Sequence, residues 1–391
     1  MVELGVWVAG PAAGGILADW GADVVKVEPP AGDPARSFQQ MLGGDMPNNP
    51  PFELDNRSKR SIVIDLTDDA GRDLMLELLE GADVFVTNLR IGALRRLGLD
   101  YEALAPRFPQ LVYGHVTGYG SDGPDADRAA YDIAAFWARS GIAAMLTPPD
   151  ADPPFQRGGM GDHSTGLAAA GAISAALFAR ERGGSGQLVS TSLLRQGMYT
   201  IGFDININLL WGLTLAVGKR ESMGNPSVNN YLAGDGRRFW IVGLEGERHW
   251  PPLARAVGRP EWLTDERFST AAGRYQNGVE LISLLDEIFA TRTLDEWSAV
   301  FDTEPDLFWA PVNTIDDLLV DEQVHASGAL IDVPDGASST TMVASPADFG
   351  TTTWQARSLA PALGEHTDEL LSELGHSREA IDALRAGGTV G

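Results

Sequence analysis

The sequence predicts an α/β fold in which a parallel sheet forms a large domain and a smaller second domain follows along the chain. The chain has 391 residues, which is more than one hydrophobic core usually supports. Short β-branched runs alternate with helical patterns in the first third, which is typical of strands joined by crossover helices. This alternation stops near Gly224, where we expect the second domain to begin.

Five apolar runs in the first third are the predicted strands. They lie at residues 2–6, 24–27, 62–66, 84–87 and 111–116. Between the third and the fourth, Thr67 can cap a helix over 68–80 that ends at Gly81. This stretch is therefore predicted to be a strand–helix–strand unit.

Later elements are fewer and differ in composition. An Ala-rich helix is predicted over 164–182, and its small residues favour close packing. From 224 to 262 the chain is rich in Asn, Gly, Trp and Pro, with one clear strand at 238–244. A helical pattern in the tail, 361–384, places Leu370, Leu371 and Leu374 on one face.

Composition limits the possible chemistry. The absence of cysteine excludes disulfides, thiolate metal sites and cysteine nucleophiles, and we expect no metal. The formal net charge of −25 disfavours nucleic acids and acidic membranes as partners. Because we find neither a signal peptide nor a long apolar run, we predict a cytoplasmic protein with no membrane contact.

Basic residues are concentrated in two short windows of this acidic chain. Six of the 29 lysines and arginines form them: Arg57, Lys59, Arg60, Arg90, Arg95 and Arg96. The windows indicate either a site for an anion or ordinary solvated charge.

The glycine-rich segment 10–15 follows the first predicted strand and imitates a dinucleotide-binding turn. Its spacing does not match G-x-G-x-x-G, and Pro11 occupies a position in the turn. We therefore interpret it as a turn that needs glycine for close packing of a helix on a strand, and NAD binding is not expected.

Short motifs spread over the whole chain form a recognisable series. They include Ala9-Gly10-Pro11, Lys26-Val27-Glu28-Pro29-Pro30, Lys59-Arg60-Ser61, Leu97-Gly98-Leu99-Asp100-Tyr101, Gly161-Asp162, Ala310-Pro311-Val312 and Gly364-Glu365-His366-Thr367. In order and spacing the series resembles the class III CoA-transferases, whose superfamily also contains the α-methylacyl-CoA racemases.

The resemblance implies a role for Asp162. In the family, the carboxylate at this position attacks an acyl-CoA, and an aspartyl-CoA thioester then passes CoA to an incoming carboxylic acid. A place just before a helix suits an anion, so we expect Asp162 to be ionised, with the backbone of 158–161 near the oxyanion. The alternative is that Asp162 is only a helix N-cap.

The resemblance also implies a CoA site at the ends of the first strands. The implied contacts are Val8, Ala9, Asn88, Leu89, Arg90 and Arg96, with Lys59 and Arg60 as weaker candidates. Arg96 would pair with a phosphate through its fork of N–H groups. The family has a basic residue where this chain has Pro29, so that contact is lost or replaced.

The residue at position 131 distinguishes CoA transfer from racemisation. The racemases have histidine there, directly before an aspartate, whereas this chain has Tyr131 before Asp132. Because the pKa of tyrosine is near 10, it exchanges protons poorly near neutral pH, and racemisation ranks second. We interpret His163 as exposed or in a local polar contact. Thioester hydrolysis and CoA binding without turnover rank below transfer as well.

Tyr131 and Asp132 are predicted to contact the substrate, as is Glu245 at a strand end. For Glu245, the equal alternative is an acidic residue in a loop that faces solvent.

Segment 224–231 keeps one glycine where formyl-CoA transferase has a glycine-rich lid, which argues against oxalate or formate as the acid. Four aromatic residues could line a larger acyl pocket or belong to the core: Phe203, Trp211, Tyr231 and Trp240.

The fold implied by the resemblance has a Rossmann-like large domain built from both chain ends, with a small α+β domain inserted. The implied bounds are 1–202 and 313–391 for the large domain and 220–299 for the small one. Segments 203–219 and 300–312 are the predicted linkers. Two subunits are expected to thread through each other as an interlocked homodimer.

Overall fold

The chain forms two compact units in a computed structural model that describes residues 1–41, 43, 48–215, 217–352 and 354–391. The first unit contains Met1–Met145, Pro153–Leu215 and Ala326–Gly391, and the second contains Leu146–Asp152 and Ala216–His325. The first unit is thus built from both chain ends. Residue 216, within the predicted linker 203–219, lies outside the described residues.

A six-stranded parallel sheet forms the centre of the first unit, in the order β3-β2-β1-β4-β5-β6. Its strands are β1 (Val2–Leu4), β2 (Val25–Glu28), β3 (Arg60–Val63), β4 (Val84–Thr87), β5 (Val112–Thr117) and β6 (Leu188–Ser192). The predicted α/β fold with a parallel sheet is confirmed. Only β6 has no counterpart among the predicted strands, because it alternates exposed and half-buried positions and lacks a continuous apolar run.

Helices cover this sheet and connect its strands. In the first unit they are α1 (Ala9–Asp19), α2 (Phe38–Met41), α3 (Pro50–Asn56), α4 (Asp69–Glu80), α5 (Ile91–Leu97), α6 (Tyr101–Leu104), α7 (Ile142–Met145), α8 (Met160–Glu181), α9 (Leu193–Thr200) and α10 (Gly202–Trp211). A 3-10 turn lies at Pro34–Ser37 and a π-helical turn at Ile133–Ala138.

The close packing predicted for the Ala-rich helix occurs between α8 and α1. A Cβ atom at Gly166 would lie 2.8 Å from the Cβ of Ala12 and 3.1 Å from the backbone nitrogen of Ala13. Because only glycine leaves this space, the two helix backbones approach each other closely.

Buried charges lie within the sheet itself. Glu3 of β1 contacts the ammonium groups of Lys26 at 3.1 Å and Lys59 at 2.7 Å, and Lys26 also contacts Asp33 at 2.9 Å. All four side chains are almost completely buried. Burial acts to raise the pKa of Glu3, but the two lysines together hold it below its usual range.

The second unit is an α+β fold with its own core. A three-stranded antiparallel sheet combines β7 (Val228–Leu232), β8 (Arg238–Val242) and β9 (Trp309–Pro311). Its helices are α11 (Gly246–Ala256), α12 (Ala271–Gln276), α13 (Gly278–Phe289), α14 (Leu294–Phe301), α15 (Ile315–Val320) and α16 (Glu322–Ala326), with 3-10 turns at Arg220–Ser222 and Pro260–Leu263.

One predicted linker in the second unit is not a linker, and one of two alternatives for an aromatic residue is resolved. In 300–312, the predicted linker, Phe301 is buried in the core and β9 pairs with β8. Tyr231 is fully buried and its hydroxyl donates to the Pro226 carbonyl at 2.6 Å. Tyr231 is therefore a core residue and not part of an acyl pocket.

The C-terminal part returns to the first unit. A hairpin of β10 (Leu330–Asp335) and β11 (Ser338–Val343) precedes α17 (Thr367–Glu373) and α18 (Arg378–Ala386). The backbone N–H of His366 donates to the carbonyl of Ser61 at 2.9 Å, so the tail joins the edge strand β3. No helix in the described parts of the chain is long and apolar enough to span a membrane.

Candidate active site

The candidate site lies where the strand order of the parallel sheet reverses. Strands β1 and β4 are neighbours, and the chain continues from them toward opposite edges. Ligands of open α/β sheets bind at the carboxyl ends of the strands at such a point. Here the Asn88 amide accepts from the Val6 N–H at 2.9 Å and donates to the Val6 carbonyl at 2.7 Å, which ties the two loops together.

A cavity of about 380 Å³ opens at this place. Six predicted site residues line it: Val8, Ala9, Asn88, Arg90, Tyr131 and Asp162. The remaining lining residues were not among the predicted site residues: Val6, Trp7, Val116, Thr117, Gly118, Ala129, Ala130 and Leu193. Trp7 is adjacent to the predicted contact Val8, and this adjacency is the one signal that could have identified it.

Asp162 belongs to the first turn of α8. The helix begins four residues before the predicted start, and its N-cap is Gly159, whose φ of 85° is in the left-handed region. The N–H of Gly159 donates to Asp132 at 3.1 Å. The interpretation of Asp162 as an N-cap is therefore wrong, because the cap lies three residues earlier and Asp162 faces the cavity.

The protonation of Asp162 differs from the expectation of a fully ionised carboxylate. Burial raises its pKa to about 7, and the nearby carboxylates of Asp132 and Asp55 act in the same direction. His163 opposes them only in part. Desolvation thus outweighs the stabilisation that a helix start gives an anion, and the carboxyl group titrates near neutral pH.

His163 forms the polar contact that was one of its two predicted roles. Its Nε2 lies 3.1 Å from an oxygen of the buried Asp55, in α3. This hydrogen bond raises the pKa of His163, whereas burial raises the pKa of Asp55. The raised pKa of His163 favours a positive charge directly beside Asp162.

Two of the predicted cationic contacts lie away from the cavity. The Lys59 ammonium is completely buried against Glu3, and burial lowers its pKa to about 8. Arg60 begins β3, at the opposite end of the sheet from the cavity, and pairs with Asp23 at 2.6 Å and with Glu373 at 2.8 Å. Both cations already have carboxylate partners.

The other predicted arginines are differently placed. Arg90, the N-cap of α5, lines the cavity, and Arg96 is exposed in the last turn of that helix. Neither forms an ion pair with another residue in the described part of the chain. Leu89, also a predicted contact, precedes Arg90 in the segment that connects β4 to α5. Its carbonyl is 2.9 Å from Nε2 of His115.

The predicted substrate contacts occupy different environments. Tyr131 is exposed for 64% of its surface and lines the cavity. Asp132 is buried, and it accepts from the Gln156 amide at 3.1 Å. Glu245 belongs to the second unit, where it precedes α11 and contacts Arg248 at 3.2 Å. Over the described ranges we find no cluster of three histidines or acids that could hold a metal.

Comparisons with known proteins identify relatives along the whole chain. The family model for CoA-transferase family III matches residues 1–367. The chain is 31% identical to (R)-2-hydroxy-4-methylpentanoate CoA-transferase from Clostridioides difficile, over 98% of this chain and 96% of that one. It is 32% identical to cinnamoyl-CoA:phenyllactate CoA-transferase from Clostridium sporogenes, over 98% and 94%. A solved CAIB/BAIF family protein from Brucella suis superimposes with a TM-score of 0.81 at 32% identity, over 95% and 97%.

Proposed function

The chain belongs to CoA-transferase family III, and we propose that it moves CoA from an acyl-CoA donor to a carboxylic acid through a thioester on Asp162. Enzymes of this class use CoA as a co-substrate. The relatives are named for different acids, among them a hydroxylated methylpentanoate and phenyllactate. Family membership therefore defines the transfer reaction, while the residues around the cavity select the acids.

The proposed reaction starts from the ionised carboxylate. One oxygen of Asp162 attacks the thioester carbon of the donor, the C–S bond breaks, and CoA thiolate leaves a mixed anhydride behind. The thiolate attacks the aspartyl carbonyl carbon, and the donor acid departs as a carboxylate. The acceptor carboxylate then repeats both steps in reverse, which returns Asp162 to its initial state and produces a new acyl-CoA.

One observation carries this proposal: Asp162 is the only carboxylate among the residues that line the described cavity. Its pKa of about 7 means that a basic, nucleophilic carboxylate is present in quantity at neutral pH. The first turn of α8 also has backbone N–H groups without partners inside the helix, which suits them to the oxyanion of each tetrahedral intermediate.

The position of CoA is proposed from the arginines. Arg90 and Arg96 are exposed at the two ends of α5 and have no carboxylate partner in the described chain, although the protein is strongly acidic. Phosphate groups of CoA would supply the missing partners, with Val8 and Ala9 against the pantetheine arm. We assign no such role to Lys59 or Arg60, since other carboxylates already occupy them.

We also propose the interlocked homodimer. None of the ten residues of α10, all of them described, is buried. Phe203, Leu210 and Trp211 are exposed for 77%, 78% and 70% of their surface. An apolar surface of this kind needs a partner, and a second copy of the chain would provide it.

The test of the mechanism uses Asp162→Asn and Asp162→Ala. Both variants should lose transfer by at least about a thousandfold, because neither side chain can form the anhydride. After incubation with acyl-CoA, hydroxylamine or borohydride trapping and peptide mass analysis should mark Asp162 in the wild type. Asp152→Asn, which removes a carboxylate from an exposed loop, should keep full activity.

Several outcomes would contradict the mechanism. A fully active Asn variant together with an unmodified Asp162 would exclude the covalent route. Loss of acyl-CoA without an added carboxylate would indicate hydrolysis. Exchange of the α-proton in deuterated water would indicate the racemase reaction.

A further inference from the structure

Trp7 has an unusual backbone conformation in the loop after β1. Its φ is 63°, in the left-handed region that bulky side chains rarely adopt. Such strain persists only where the surrounding structure imposes it, and it occurs most often at functional sites. Trp7 also lines the cavity that contains Asp162.

The buried charge cluster of the sheet holds Trp7 in this conformation. Its backbone N–H donates to one oxygen of Asp33 at 3.0 Å. The second oxygen of Asp33 contacts the Lys26 ammonium at 2.9 Å, and both of these side chains are completely buried. The loop is therefore attached to one of the most constrained parts of the molecule.

The indole ring of Trp7 packs against Tyr131. The ring centroids are 5.8 Å apart and the planes meet at 88°, which is a favourable edge-to-face arrangement. Tyr131 nevertheless remains 64% exposed at the cavity. A ligand with an apolar surface would cover the exposed aromatic surface and gain the free energy of its burial.

The charges of the cavity favour the same kind of ligand. Arg90 is the only cation and Asp162 the only anion among the described lining residues. Asp162 reacts in the proposed mechanism, and Arg90 is proposed to bind CoA. A second carboxylate on the acyl group would thus lack a partner, whereas an apolar group would contact Val116 and Leu193.

We propose that Trp7 and Tyr131 form an aromatic wall that selects branched or aromatic monocarboxylic acyl groups over acetyl and over dicarboxylic acyl groups. This inference rests on the proposed transfer function, since it assigns the acyl side of the same cavity. The strained loop keeps the indole in place before the substrate arrives, which lowers the cost of ordering the site on binding.

The experiment compares kcat/KM for phenylacetyl-CoA, isovaleryl-CoA, acetyl-CoA and succinyl-CoA. In the wild type, the first two should exceed acetyl-CoA and succinyl-CoA at least tenfold. Trp7→Leu and Tyr131→Leu should each reduce the ratio of phenylacetyl-CoA to acetyl-CoA at least fivefold, and Trp7→Phe should restore most of it. Phe178→Leu, an exposed aromatic change far along α8, should leave the ratio unchanged.

An equal loss for all four donors in both leucine variants would overturn the aromatic wall, as would a wild-type preference for succinyl-CoA. Because Tyr131 is largely exposed, its variant tests the proposal even if Trp7→Leu unfolds. Dissociation constants of phenylacetyl-CoA and acetyl-CoA, measured by calorimetry, give the same ratio without turnover. A protein that binds phenylacetyl-CoA more tightly but transfers nothing would refute the proposed function and support the wall.

Discussion

The carboxyl group of Asp162 is balanced between two opposing influences. Burial and the carboxylates of Asp132 and Asp55 raise its pKa, while the imidazolium of His163 lowers it. The hydrogen bond that His163 donates to Asp55 raises the pKa of the imidazole and so favours its charged form. With a pKa of about 7, a large fraction of Asp162 is ionised at neutral pH while the carboxylate stays basic, which suits the proposed role of a group that attacks a thioester and is later attacked itself.

This balance predicts a dependence of stability on pH. The pKa of Asp162 is about 7 in the folded protein and about 3.9 in an unfolded chain. Between these two values the folded protein keeps the proton that the unfolded chain releases, so the free energy of unfolding falls as the pH rises through that interval. Asp162→Asn has no carboxyl group to ionise, so its stability does not fall in this way. We expect the variant to match the wild type near pH 4 and to be more stable by roughly 2 kcal/mol at pH 8.5, a value reduced because the group is only half-buried.

Chemical unfolding at both pH values measures the effect. Asp152→Asn is the control for the change in net charge. The difference between its free energy of unfolding and that of the wild type should be the same at both pH values. If Asp162→Asn were equally or less stable than the wild type at pH 8.5, the carboxylate would not be destabilised by its surroundings.

Residue identity could be predicted from the sequence more readily than residue environment. Asp162, Asn88 and Arg90, which the sequence singled out, line the cavity. Lys59 does not, because Glu3 lies beside it in the folded sheet although the two are far apart in sequence. An ion pair of this kind has no local pattern, so a buried lysine cannot be told from an exposed one.

At the scale of elements, the sequence predicts those with strong local patterns. The five buried strands have β-branched apolar runs that predict them, whereas β6 has a half-exposed pattern that does not. The predicted start of α8 is too late because its cap is Gly159 in the left-handed conformation, held by the distant Asp132. Contacts between distant residues determine this boundary.

Helix α5 leads to a prediction about CoA binding. Arg96 is exposed in its last turn, so Arg96→Ala should weaken CoA binding about tenfold without unfolding, and Arg96→Lys should restore it only in part. Arg182→Ala is the matched control. It removes the same charge at the far end of α8, about 30 Å along the helix from Asp162, and should leave the affinity unchanged.

Calorimetric titration with CoA is the measurement for these variants. Equal affinity of Arg96→Ala and the wild type would show that the phosphate groups are bound elsewhere. A loss of the same size in Arg182→Ala would show that the general charge of the protein, not a contact at α5, controls CoA binding.

At the scale of the whole molecule, the exposed apolar residues of α10 are the observation behind the proposed homodimer. The tail of the chain returns to the first unit and joins β3, so this unit contains residues from both chain ends. The sequence indicates interlocking only through its resemblance to the family, because composition and periodicity carry no information on how two chains are linked.

Interlocking makes a prediction that ordinary dimers do not share. Subunits that are threaded through each other cannot exchange without unfolding, so dilution to nanomolar concentration should leave the dimer intact. If tagged and untagged preparations are mixed under native conditions, affinity capture should recover no hybrid dimers even after days. The same mixture, denatured and refolded together, should give about half hybrids if pairing is random, which serves as the control. A folded monomer in sedimentation at low concentration, or hybrids formed without denaturation, would show that the subunits associate only through their surfaces.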